Sequence, residues 1–334
     1  MKISASLYSA GYADLRELVR ELDAYQSDWF HIDCNDDPSV FDDIREIRKH
    51  SDTPVDLHII SPEPHKFYDQ IVETGVEYVT LQFEAIENWH PMPDSFKGQL
   101  GIAITTDTDI SVFDRFANQA SFILFMATTP GKSGEPFQQK NFRKIREFRN
   151  KYPDKKIHVD GGINAELSFI LRNMGVSAVV VGSYLLRQEF IGSAMMKLRS
   201  NTGSEYHVSD FMLKRDEIPA VTRNAYSFPQ LLKVIDDYKL GFANIVDEND
   251  TLLGIASMAD VRKALLKYWP NLDDLKVEDV MNTHPALIQS SNTVFDMLDY
   301  VNNLSFPVLF LPVTDEDGKL VGTVKFNNLI KGEL

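Results

Sequence analysis

Trp29-Phe30-His31-Ile32-Asp33 is a short apolar run carrying two metal-type ligands at its end. Similar runs return at Val55-Asp56-Leu57-His58 and Ile157-His158-Val159-Asp160-Gly161-Gly162. These read as the second, third and seventh strands of a strand-helix alternation. β-type runs recur at Ile3 to Tyr8, Trp29 to Asp33, Val55 to Ile60, Tyr78 to Phe83, Leu100 to Thr105, Phe122 to Ala127, Ile157 to Asp160 and Ala178 to Gly182. Between them lie segments of helical spacing, such as Leu15, Leu18, Val19 and Leu22, or Phe142, Ile145 and Phe148. The expectation is a strand and then a helix, eight times over.

Eight parallel strands, apolar throughout because both faces are covered, in about 200 residues with short connections predict an α/β fold, a small (β/α)8 TIM barrel. An open doubly wound sheet would usually show a Gly-rich fingerprint after its first strand, whereas Ser6-Leu7-Tyr8-Ser9-Ala10 leads only to Gly11. In a barrel, polar residues at the strand C-termini converge on the catalytic face. His31, Asp33, His58 and Asp160 are therefore expected at one spot. A lone strand histidine is usually a satisfied core residue, but four ligand types at the same end of the strands point to a metal site.

The chain has 334 residues, 43% hydrophobic and 25% charged, an ordinary globular balance with room for two domains. Its net charge of -15 argues against a nucleic-acid surface. No run of 18 apolar residues and no charged-then-apolar N-terminal signal is present, so a cytoplasmic protein with no membrane partner is expected. Cys34 is the only cysteine, which excludes an intramolecular disulfide and a thiolate cluster. It directly follows Asp33, yet nothing nearby in sequence activates it, and packing is the expected role.

Lys197-Leu198-Arg199-Ser200-Asn201-Thr202-Gly203-Ser204-Glu205 reads as a polar boundary, with a first domain over 1–199 and a linker over 200–205. Beyond it the chain repeats itself. Val208-Ser209-Asp210-Phe211-Met212 is answered by Val277-Glu278-Asp279-Val280-Met281, and Leu253-Gly254-Ile255 by Val321-Gly322-Thr323. Each copy runs through a β-type segment, a helix, a strand, an acidic turn, a strand and a last helix. Repeat 1 spans about 206–268 and repeat 2 about 275–334, predicting a smaller α+β module with a cleft between its two halves.

This repeat resembles a tandem pair of cystathionine β-synthase (CBS) domains over 206–334, on the Val-x-Asp-x-Met opening and the Gly-Ile-Ala-Ser-x-x-Asp closing. The resemblance implies an adenine nucleotide or related effector, with Ser257 and Asp260 holding its ribose. Hydroxyl and carboxylate at a helix N-terminus can each accept from ribose hydroxyls. The plainer alternative is that Ser257 caps the helix starting near Met258. In the second copy Lys325 and Asn328 stand where Ser/Thr and Asp would be, so at most one such site is intact.

The first 190 residues resemble ribulose-phosphate 3-epimerases. The carrying residues are Ile3 to Ala10, Trp29 to Asp33, Val55 to Ile59, Met126 to Gly134, Val159 to Asn164 and Val181 to Ser183. The complete His-x-Asp, His and Asp-Gly-Gly set makes the resemblance specific. It implies one divalent metal, zinc, iron, manganese or cobalt, held by His31, Asp33, His58 and Asp160, with Asp33 and Asp160 as acid and base across an enediolate. It further implies that Gly161, Gly162, Gly182 and Ser183 bind phosphate, that Gly131, Ser133 and Gly134 belong to a loop closing over substrate, and that Ser6 contacts substrate hydroxyls. For Ser6, simple strand-end hydrogen bonding is the alternative.

The resemblance implies interconversion of D-ribulose 5-phosphate and D-xylulose 5-phosphate by a homo-oligomeric enzyme. Three departures bear on the substrate: a shortened loop Asn35-Asp36-Asp37-Pro38, Gln82-Phe83 in place of His-Pro after the fourth strand, and Lys132 and Glu135 in the sixth loop. An epimerase of a different sugar phosphate and a non-catalytic nucleotide or sugar-phosphate sensor with a degenerate barrel are the alternatives. A related decarboxylase would need Asp-x-Lys-x-x-Asp after the second strand, where Asn35 occupies the lysine position.

Overall fold

The β-rich runs form eight parallel strands: β1 (Lys2–Ser6), β2 (Trp29–Cys34), β3 (Val55–Ile59), β4 (Tyr78–Gln82), β5 (Gln99–Thr105), β6 (Phe122–Met126), β7 (Lys156–Asp160) and β8 (Ala178–Val181). They pair in sequence order, and β8 closes onto β1 through Lys2↔Ala178 to Ala5↔Val181. The structure is a computed structural model that describes residues 1–10, 14–128, 135–188, 190–199, 206–306 and 308–326.

Alternation along each strand sends one set of side chains outward under the helices and the other into the barrel. Trp29 of β2 lies 5.3 Å, ring to ring, from His158 of β7, a contact between strands that are not neighbours and that therefore crosses the interior. Tyr78 and Phe122 complete this aromatic floor, with Phe122 stacked 4.0 Å from His158. Burial pushes the His158 imidazole down to about 4, so it packs as a neutral ring. Above it, Ala103, Leu124, Met126 and Val180 form an apolar wall. The remaining inward positions toward the strand C-termini are polar.

The helices are α1 (Leu15–Ala24), α2 (Val40–Arg48), α3 (Tyr68–Thr74), α4 (Lys140–Lys151), α5 (Ala165–Asn173), α6 (Ser183–Leu186) and α7 (Ile191–Arg199). α1 starts at Asp14, which accepts from the Arg16 N–H, and buries Leu18, Val19 and Leu22. Asn164 caps α5 by accepting from the Leu167 N–H at 2.9 Å. Each fully buried Leu, Ile or Phe on these faces contributes roughly 1.5–3 kcal/mol of apolar burial.

Strict alternation fails in two places. After β4 and β5 the chain makes only 3-10 turns, Phe83–Ala85 and Ile110–Arg115, where helices were expected. Pro91 and Pro93 remove donors and restrict the residues before them, which stops a helix from growing after β4. Trp89 instead packs edge-on to Phe116 at 4.7 Å. Lys144 of α4 closes the loop after β5 by donating to the carbonyls of Thr105, Thr106 and Thr108 at 2.7–3.0 Å.

The chain divides into two compact units at Thr202 and Gly203. In the second, α8 (Val208–Phe211), β9 (Leu213–Lys214), β10 (Ala220–Thr222), α9 (Phe228–Tyr238), β11 (Phe242–Val246), β12 (Leu252–Ser257) and α10 (Met258–Tyr268) are followed by a second round. That round is α11 (Val277–Val280), β13 (Ile288–Gln289), α12 (Val294–Asn302), β14 (Phe310–Thr314) and β15 (Leu320–Lys325). The sheets are β10-β11-β12 and β13-β14-β15-β9.

The opening segments are exchanged. β9, after the first opener, pairs with β15 of the second copy, and Asn282, after the second opener, bridges to Ile255 of the first. Phe242 and Phe310, at equivalent positions, stack 4.2 Å apart, and the Asn244 amide donates to Thr323 across the two sheets. Among the described residues no helix is long and apolar enough to cross a membrane.

Candidate active site

Period-two geometry puts His31 and Asp33 of β2 on the inner face together with Asp56 and His58 of β3, and register pairs His31 with Asp56 and Asp33 with His58. One ligand atom from each of His31, Asp33 and His58 lies within 4.8 Å of the others. His31 Nε2 and His58 Nδ1 both stand 3.2 Å from Asp33 Oδ1. Asp160, at the end of β7, reaches the cluster from the other side, with Oδ2 4.0 Å from His31 Nε2. The four expected residues are thus gathered at the C-terminal mouth.

Two further side chains orient the imidazoles. Asp56 Oδ2 lies 2.9 Å from His31 Nδ1 and also accepts from the Ser4 hydroxyl at 3.0 Å, leaving His31 Nε2 to face Asp33 and Asp160. Gln82 Oε1 lies 2.9 Å from His58 Nε2, leaving Nδ1 to face Asp33. Both imidazoles are buried, His58 at 0% and His31 at 1% exposure. Asp56 had a sequence signal, standing two residues before His58 and hence on its face. Gln82 had one only in its place at a strand end.

The charges are unevenly shared. Burial works to lower the His31 pKa, but the carboxylates of Asp33 and Asp56 outweigh it and hold the ring well above its ordinary value. Burial works to raise Asp33, and His31 and His58 outweigh it, keeping that carboxyl well below the usual range. Burial and the Asp33 charge drive Asp160 the other way, upward, against the pull of His31. Two carboxyls on one site with opposite proton preferences are suited to acid-base work.

Two imidazole nitrogens with carboxylate oxygens, buried and each imidazole backed by its own hydrogen-bond partner, fit a divalent first-row cation. The donor set does not distinguish zinc, iron, manganese and cobalt.

Around the mouth, Ser6 bonds the Ser9 hydroxyl at 2.8 Å. Gly161 and Gly162 have φ of +110° and +69°, and a Cβ on Gly162 would fall 2.3 Å from the Phe137 nitrogen, so both the conformation and the close approach require glycine. A Cβ on Gly182 would fall 2.2 Å from the Ser9 hydroxyl, and Ser183 opens α6. Gly131, Ser133 and Gly134 lie outside the described residues. After β2, Asp36 takes φ +61° and is held by the Ser61 hydroxyl and by Lys66 at 2.6 Å, which pins the short loop.

In the second unit, Ser257 caps α10. Its hydroxyl lies 2.5 Å from Asp260 Oδ2, Asp260 Oδ2 accepts from the Ser257 N–H at 3.1 Å, and the Asp260 N–H donates back to the Ser257 hydroxyl at 3.3 Å. Ser257 also lines a cleft of about 320 Å³ with Met258, Asn282, Phe306, Leu309 and Phe310, contributed by both halves of the repeat; Asp260 is not part of the lining.

A closed eight-stranded parallel barrel with a buried imidazole-carboxylate centre at its catalytic end defines a (β/α)8-barrel enzyme. The model of the ribulose-phosphate 3 epimerase family matches residues 2–186, and the chain belongs to that family. It is an epimerase acting on carbohydrate. The ribulose-phosphate 3-epimerase of Schizosaccharomyces pombe is 26% identical over 212 residues, covering 60% of this chain and 93% of that protein. That of Methanocaldococcus jannaschii is 27% identical over 229 residues, covering 64% and 96%. The CBS domain model matches residues 277–333. A crystal structure of CBSX2 in complex with AMP is similar at 26% identity and a TM-score of 0.33, over 38% of this chain and 95% of that one.

Proposed function

We propose that the barrel interconverts D-ribulose 5-phosphate and D-xylulose 5-phosphate, with Asp33 and Asp160 exchanging protons at C3. The observation that carries this reading is the pair of carboxyls on β2 and β7 gathered around one imidazole, with Asp33 Oδ1 3.2 Å and Asp160 Oδ2 4.0 Å from His31 Nε2. The C3 hydrogen is acidic because the C2 ketone can take up the electron pair as an enediolate. One carboxyl of the pair, as the carboxylate, removes that proton through an oxygen, and the other, carrying a proton, returns one to the opposite face of C3. In the reverse direction the two exchange roles.

His31, Asp33, His58 and Asp160 would hold the divalent cation, which would supply Lewis-acid stabilisation of the negative charge that develops in the enediolate. Gly161, Gly162, Gly182 and Ser183 are assigned to the phosphate end, where the absence of side chains on the glycines lets backbone N–H groups approach, together with the 131–134 loop. Ser6 is assigned to a substrate hydroxyl. In the second unit, the cleft at Ser257 is assigned to an adenine nucleotide, its ribose at the head of α10, as a regulatory site. The pinned short loop after β2 favours a second reading, an epimerase of another ketose phosphate.

The test is metal analysis of the purified chain, followed by incubation with a panel of ketose phosphates in deuterium oxide. The expected result is epimer formation with deuterium at the carbon next to the ketone, greatest for D-ribulose 5-phosphate. Exchange favouring another ketose phosphate moves the assignment to the second reading. A metal-loaded chain that exchanges no substrate overturns both.

A further inference from the structure

At the end of β4, Gln82 is buried to 3% exposure and sits between His58 and Glu84. Its amide nitrogen donates to Glu84 Oε2. Glu84 is fixed on its far side, where Oε1 accepts from the Thr105 N–H at 2.9 Å and from the Thr108 hydroxyl. A carboxylate only accepts, so the donor end of the Gln82 amide is committed to it and the oxygen end must face His58. An amide oxygen also only accepts. The ring proton facing Gln82 therefore sits on Nε2, and Nδ1, 3.2 Å from Asp33 Oδ1, is the nitrogen turned toward the cation site.

We propose that Gln82 and Glu84 are positioning residues that lock His58 in the Nε2–H form and thereby set how tightly the centre holds a divalent cation. The proposal rests on the reading of His58 as a metal ligand. A neutral imidazole left to itself divides its proton between two nitrogens and its ring can turn, and both freedoms are lost when a cation binds. A chain of fixed polarity, from the Thr105 backbone through Glu84 and Gln82 to the ring, removes them beforehand. Losing such a partner behind a ligand typically weakens metal binding by about 10- to 100-fold.

The experiment uses the full chain with Zn2+ as probe. Competition with a chromophoric chelator gives the affinity, and 15N-histidine spectra of the chelator-stripped parent give the His58 tautomer. Gln82→Leu, which keeps the bulk and loses the acceptor, is expected to bind Zn2+ about 10- to 100-fold more weakly. Gln82→His is expected to stay close to the parent, because an imidazole offers one acceptor nitrogen to His58 and one donor nitrogen to Glu84. Glu84→Gln is expected to weaken binding by less than Gln82→Leu, since an amide at 84 can still accept. Parent-like binding by Gln82→Leu, or a His58 Nε2 without its proton in the stripped parent, overturns the lock; the spectrum decides even where Gln82→Leu fails to fold. A parent chain that binds no Zn2+ overturns the metal reading itself.

Discussion

At the scale of single residues, the centre separates two carboxyls that are chemically identical in sequence. Asp33 lies between two imidazoles, and Asp160 meets the burial penalty with less compensation. Asparagine at either place keeps the shape and one oxygen but cannot carry the proton. Asp33→Asn and Asp160→Asn are each expected to lower kcat by about 10²–10⁴-fold with an unchanged circular dichroism spectrum. Wild-type turnover in either variant would remove that carboxyl from the proton path. Cys34, next to Asp33, is fully buried, and burial pushes its thiol up to about 11. At pH 8 about one thiol in a thousand is then ionised, so iodoacetamide should label the native chain far more slowly than the urea-unfolded one. Equal rates would show an activated thiol. His31, Asp33, His58 and Asp160 were legible because ligand types at strand ends stand out. Asp56 and Gln82 could be placed by strand position, but their roles could not be read, because a buried polar residue acquires meaning only when the nitrogen it faces is known.

At the scale of elements, the eight strands were readable to within about two residues because each is a continuous apolar run between polar stretches. The helices after β4 and β5 were not readable as absent. Periodicity gives no warning of two prolines or of Asp109 holding a short 3-10 turn through the Ser111 N–H. The barrel floor was equally silent in sequence, since it depends on which rings meet across the interior. Gly101 of β5 makes room there, as a Cβ on it would fall 2.1 Å from the Phe122 ring. Phe122 is fully buried and stacked on His158, so it cannot simply swing away. Gly101→Ala is expected to destabilise the barrel by about 1–3 kcal/mol in urea unfolding through overpacking. An unchanged midpoint would mean that the floor is looser than these contacts imply.

At the scale of the whole chain, a carbohydrate epimerase is joined to a module whose halves exchange their opening segments. Because β9 pairs with β15 and Asn282 with Ile255, neither half can complete its sheet edge alone, and the cleft at Ser257 is built from both. A ligand there would tie the halves together, and by linkage it would stabilise the module by about 2.7 kcal/mol at a hundred times its Kd. AMP is therefore expected to raise the module's thermal transition in the full chain. Ser257→Ala would be a poor test, since losing the cap alone costs about 0.5–2 kcal/mol. Ser257→Asn keeps a good capping side chain and fills space at the wall of the cleft. It is expected to leave the ligand-free transition in place and abolish the AMP-dependent rise. A full rise in Ser257→Asn would move the nucleotide away from this cleft, and no rise in the parent with AMP, ADP, ATP or adenosine would end the regulatory assignment.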